Sequence, residues 1–106
     1  MTRVTVATST TTTLGTMHPL ATEELAHACG VGIDWVAQLV EIGIVEVSSP
    51  TPAQWRFESA DLQRALAARR LERDFGIGLD AAALILDLQR EVRRLKATLR
   101  AQGLED

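Results

Sequence analysis

Two apolar helical patterns parted by the tripeptide Gly30-Val31-Gly32 restrict the possible fold more than any other feature of this chain. The first pattern opens at Thr22, a residue type that caps helices, and its first turn carries Glu23 and Glu24, whose charge suits a helix start. Leu25, Ala26 and Ala28 are its expected buried side, and Gly30 stops it. The second pattern covers residues 33–42, with Val36, Leu39 and Val40 facing inward and Gly43 as the C-terminal stop. Two helices joined by three or four residues that include glycine form a helix-turn-helix.

Beyond Gly43, the runs Ile44-Val45-Glu46-Val47 and Gln54-Trp55-Arg56-Phe57 read as two strands joined by a Ser/Pro/Thr-rich loop, a β-hairpin wing. Pro50 and Pro52 exclude helix from that loop. A third helix starts with Ser59 as its cap and reaches about Asp74. It is expected to bury Leu62, Leu66, Leu71 and Phe75 before the break at Gly76-Ile77-Gly78. The last helix runs from about Asp80 to Ala101. Ile85, Leu88, Val92, Leu95 and Leu99 alternate by three and four residues along it and make a heptad seam, with Leu84 and Leu86 off the seam and packed on the body. Upstream, residues 3–7 alternate Val and Thr as a short strand does, and fade into a threonine-rich loop.

At 106 residues the chain has the size of one domain. Within it, 1–20 is an N-terminal strand and loop, 21–58 the acidic helix-turn-helix and wing, 59–78 the third helix and 79–106 the long C-terminal helix. The fold class is therefore mainly α, a winged helix-turn-helix with a small β-hairpin wing and a long dimerisation helix. β-branched residues at one seam position and leucine at the other favour a two-stranded association, so a homodimer is expected, with its orientation open.

The net charge of −3 conceals an asymmetry. No lysine or arginine lies between Val4 and Trp55, a stretch that holds Glu23, Glu24, Asp34, Glu41 and Glu46. From Arg56 onward there are 10 basic and 9 acidic residues. Nucleic-acid binding draws on Lys and Arg that displace counterions from phosphates. The second helix instead offers Ile33, Asp34, Ala37 and Gln38 where a groove-reading helix needs cations, so nucleic-acid binding is not expected.

Other classes lack their residues. The lone cysteine, Cys29, has no internal disulfide partner, and no N-terminal signal pattern is present, so a cytoplasmic location is expected. His18, His27 and Cys29 fall short of the four ligands of a structural zinc site, so neither metal nor cofactor is expected. No apolar run approaches the roughly 20 residues that span a bilayer. With one lysine, Lys96, and no phosphate-loop pattern, catalysis is not expected either.

The phrases Glu24-Leu25-Ala26, Gly30-Val31, Trp35-Val36 and Leu39-Val40-Glu41-Ile42-Gly43-Ile44-Val45-Glu46 resemble the winged helix-turn-helix of MerR-type proteins. The Trp55-Arg56-Phe57 segment, the Arg-rich third helix and the Leu-rich tail extend the likeness. In this order they are more closely similar to the chaperone-modulator family CbpM. That resemblance implies binding to the J-domain of a DnaJ-type, CbpA-like co-chaperone, and inhibition of its cooperation with Hsp70. J-domains, it further implies, present a basic helix that an acidic surface suits. The alternative is a MerR-type DNA-binding transcription regulator.

The partner-binding residues expected are Glu23, Glu24, Asp34, Trp35, Gln38 and Glu41. Asp34 and Glu41 are seven apart with Gln38 between them, on one side of the second helix. Their bland reading is a solvated helix face. Trp35, next to core Val36, is either packing or an exposed anchor, whereas Trp55 reads as a buried wing residue.

Overall fold

Residues 18–103 are described in a computed structural model, so the strand and threonine loop expected before His18 lie outside the described residues. Four helices follow one another: α1 Thr22–Cys29, α2 Ile33–Ile42, α3 Ser59–Phe75 and α4 Leu79–Ala101. Their stops are local. Gly43, for example, takes φ of 94°, and its N–H reaches the carbonyls of Leu39 and Val40 at 3.1 Å each. Only a residue without Cβ enters that left-handed region at little cost.

Helix starts are set differently from expectation. Ala21, not Thr22, is the cap of α1, and its N–H is taken by the Glu24 carboxylate at 2.7 Å. Thr22, buried, donates its hydroxyl to the Pro52 carbonyl at 3.1 Å, tying α1 to the loop beyond α2. Glu58 rather than Ser59 precedes α3, its N–H held by Asp61 at 2.8 Å. In each case a carboxylate three residues into the helix reaches back to a free backbone donor.

The α1–α2 pair bends by 102°. Inside the angle sit Leu25, Val36, Leu39 and Phe57, all removed from water. Cys29 fills the place expected for Ala28, which is exposed. From Leu25, a step of four along α1 returns to the inner side, whereas a step of three reaches the outer edge. Ala65 and Ala68 bring α3 close to this core, and Leu79, Ala82 and Leu86 of α4 close it. Alanine at a contact lets helix axes approach without a void.

The expected β-hairpin wing is not formed. Among the described residues there is no strand ladder, only a single antiparallel bridge between Leu20 and Phe57 with N–H to carbonyl distances of 2.7 and 2.8 Å. Between the supposed strands, Pro52–Gln54 makes a 3-10 turn with proline at its start. Proline supplies no N–H, and the turn takes its chain partners locally. The Thr51 N–H goes to the Ser49 hydroxyl, the Ser49 hydroxyl to the Gln54 side chain, and the Trp55 indole to the Ser49 carbonyl at 2.8 Å. Trp55 is buried as expected, its ring edge-on to Phe57 with centroids 6.3 Å apart. An aromatic pair therefore holds the loop to the core where a ladder was expected.

Two further expectations fail. Phe75 is 70% exposed, because it is the last residue of α3 and Gly76 then turns the chain away. Leu84 is exposed too, and only Leu86 of that pair is buried, in register with Leu79 and Ala82 at the helical period. From Asp87 to Gly103 every residue is exposed, so the far half of α4 projects beyond the packed body.

Candidate functional site

Burial of Val36 and Leu39 turns the opposite side of α2 outward. Asp34, Gln38 and Glu41, at steps of four and three, share that outer side and are all exposed. No hydrogen bond or ion pair engages any of the three among the described residues, so their polar groups face solvent with their capacity unspent. Ile33, 47% exposed, flanks Asp34 and gives the face an apolar edge. Of the four partner-binding residues expected on α2, the structure places Asp34, Gln38 and Glu41 on one exposed side and turns Trp35 towards the core.

The α1 acids stand apart. Glu23 is exposed and without a hydrogen-bond partner among the described residues, but Glu24 spends its carboxylate on the Ala21 N–H. No hydrogen bond among the described residues links either to the acids of α2. Glu24 thereby has a structural task that accounts for its presence.

Trp35 is half-buried against the core. Its indole Nε1–H donates to Oε1 of Glu72 on α3 at 2.7 Å. A charge-assisted bond of that length marks Trp35 as a clasp between helices more than as a free anchor. Glu72 also lies 3.8 Å from the Arg69 guanidinium. Sequence reading missed Glu72, since 37 residues separate it from Trp35 and nothing local pairs them.

Of the five arginines between α2 and the end of α3, Arg56, Arg64, Arg69, Arg70 and Arg73, four have partners within the chain. Arg56 donates to the Trp55 carbonyl at 2.6 Å, and Arg64 Nε donates to the Ile44 carbonyl at 2.7 Å, with Asp87 at 3.4 Å from its other end. Arg69 faces Glu72 and Arg73 faces Asp74 at 3.6 Å. Of that group Arg70 alone has no such partner among the described residues. Beside Arg64 and Arg90 lies a polar cleft of about 170 Å³ floored by Gly43, Ile44 and Val45, below the ~300 Å³ at which small-molecule sites begin. No group of three metal-ligating side chains occurs among the described residues, and no single helix there is long and apolar enough to cross a membrane.

Two short helices joined across a glycine turn, with a long helix behind them, form a helix-turn-helix fold. The chain belongs to the MerR helix-turn-helix family, its residues 20–102 matching the description "MerR HTH family regulatory protein". Within that class it belongs with the chaperone modulators of the CbpM family. It is 30% identical over 82 residues, 77% of either chain, to the chaperone modulatory protein CbpM of Coxiella burnetii (strain Dugway 5J108-111). It is 34% identical over 73 residues to the CbpM of Pseudomonas entomophila and 33% to that of Pseudomonas putida W619, covering 69% of this chain and 72% of each relative. No solved structure matches the chain.

Burial pushes the Cys29 thiol above its usual range, and the nearby Arg69 charge only partly offsets that. A raised thiol pKa leaves little thiolate at neutral pH, and the thiolate is the reactive form. Iodoacetamide at pH 8 is expected to label folded protein at least about tenfold more slowly than urea-unfolded protein, read by mass spectrometry; equal rates would contradict this burial.

Proposed function

We propose that this chain binds the J-domain of a DnaJ-type, CbpA-like co-chaperone through the outer face of α2 and so hinders its cooperation with Hsp70. The observation that carries the reading is the free acidic row of Asp34, Gln38 and Glu41 on the helix that MerR-type proteins direct at DNA. A row of unpaired acids beside exposed Ile33 suits a basic protein surface with an apolar rim. Complementary charge raises the association rate and selects the partner. Glu23 adds to the same negative field, and the chaperone-modulator relatives support the class of partner. The mechanism is competition by occupancy, in the cytoplasm, with neither catalysis nor a cofactor.

The MerR match keeps DNA binding as the second reading. Against it stand the absence of any Lys or Arg on α2 and the intramolecular use of four arginines on α3 and the segment before it. Phosphate contacts supply most non-specific affinity, and a helix carrying Asp34 and Glu41 repels them.

The projecting half of α4 is proposed to pair with a second copy of the chain. Leu88, Val92, Leu95 and Leu99 are 41–56% exposed along one stripe, with Ile85 half-buried at its root. Such a stripe without cover is costly in water, and another identical stripe is its nearest match.

Reversing the charge with Asp34→Arg and Glu41→Arg should slow association with the purified J-domain about tenfold or more at low salt, by stopped-flow or biosensor kinetics. Helix content by circular dichroism should not change, and an unaltered association rate would move the site elsewhere. Separately, sedimentation velocity should find a dimer for the natural chain and a monomer for Leu88→Glu with Leu95→Glu. A natural chain that sediments as a monomer at all concentrations would refute the seam.

A further inference from the structure

We infer that Glu72, on α3, is a positioning residue for the α2 face, acting through the Trp35 indole. This deepens the proposed binding reading and rests on it for its functional consequence. Three observations converge on it. First, α2 begins without a side-chain cap, because Gly32 occupies the cap position and has no side chain to offer. Its first turn is held locally only by the backbone, with the Trp35 N–H 3.2 Å from the Gly32 carbonyl, so a side-chain bond from another helix adds to what positions it.

Second, the polar bonds from α3 bracket α2 at both ends. Trp35, in the first turn, donates to Glu72 at 2.7 Å, and Arg64 Nε donates to the carbonyl of Ile44, two residues past the last residue of α2, at 2.7 Å. The Glu72 bond is charge-assisted and half-shielded from water, with the Glu72 side chain 23% exposed. Such bonds are stronger and more directional than neutral surface contacts.

Third, Trp35 is one residue from Asp34 and three from Gln38. A shift of the indole therefore rotates the first turn that carries Asp34. Burial of Val36 and Leu39 fixes which side of α2 faces the body. A directional hydrogen bond at the edge of the helix, between the buried and exposed sides, then sets the fine pose of its first turn. The Arg69 guanidinium, 3.8 Å away, faces the same Glu72 oxygen, Oε1, that accepts the indole N–H.

The test compares the natural chain with Glu72→Gln, Glu72→Leu and Trp35→Phe, using the isolated J-domain of the co-chaperone as probe. Glutamine keeps a carbonyl acceptor of the same length, leucine removes it, and phenylalanine keeps the ring and removes the donor. In the free protein, Glu72→Leu should shift the Trp35 indole N–H and the α2 amide resonances while those of α4 stay in place, and Glu72→Gln should restore them. Dissociation from the J-domain should quicken about tenfold for Glu72→Leu and Trp35→Phe, and by less than about twofold for Glu72→Gln.

Unshifted α2 resonances in Glu72→Leu, or equal dissociation rates for Glu72→Leu and the natural chain, would overturn the inference. Should Glu72→Leu fail to fold, Trp35→Phe answers the same question from the donor side. If the natural chain does not bind the J-domain, the functional reading fails on its own. The resonances of the free chain then still decide whether Glu72 sets the pose of α2.

Discussion

Everything outward on α2 depends on what α2 buries. Val36 and Leu39, wholly removed from water with Leu25 and Phe57, fix which side of a ten-residue helix faces the body. Burying an aliphatic side chain of this size is worth about 1.5–3 kcal/mol, several times any exposed ion pair. The periodicity of the helix then leaves Asp34, Gln38 and Glu41 no place but the surface. The acidic row is in this sense a consequence of the core, and its lack of partners is what makes it available to another molecule.

On the proposed reading, exchanging a few charges suits one scaffold to either of two chemistries. The helix-turn-helix geometry needs only the glycine stops, the bend between α1 and α2 and the small residues Ala65 and Ala68 that let α3 approach. None of these cares what the outer side of α2 carries. A cationic outer side would suit phosphate; this one, with two carboxylates and an amide, suits cationic protein. The arginines nearby do not reverse that balance, because Arg56 and Arg64 are bound to backbone carbonyls and Arg69 and Arg73 to neighbouring acids.

Much of the helical plan was legible in the residues because helix limits are local events. Gly30 and Gly43 end α1 and α2 where the apolar pattern stops, and the bounds of α2 were read without error. The wing was illegible for the opposite reason. Ile44-Val45-Glu46-Val47 and Gln54-Trp55-Arg56-Phe57 have strand-like composition, but a strand exists only with a partner. Pro52, the Ser49 bonds and the Leu20 bridge to Phe57 use up that backbone differently. Phe75 and Leu84 failed similarly, since periodicity marks an apolar stripe without saying where the packed body ends. In the candidate site, the α2 row could be read from spacing alone, whereas the clasp of Trp35 by Glu72 joins residues that no local pattern relates.

Titration calorimetry of the full chain against the purified J-domain and against a duplex of about 20 base pairs, each at about 50 and 300 mM salt, weighs the two chemistries directly. A cationic-protein receptor should saturate with the J-domain, bind it more weakly at the higher salt, and give no binding heat with duplex. Tight duplex binding that collapses as salt rises, with no response to the J-domain, would contradict it.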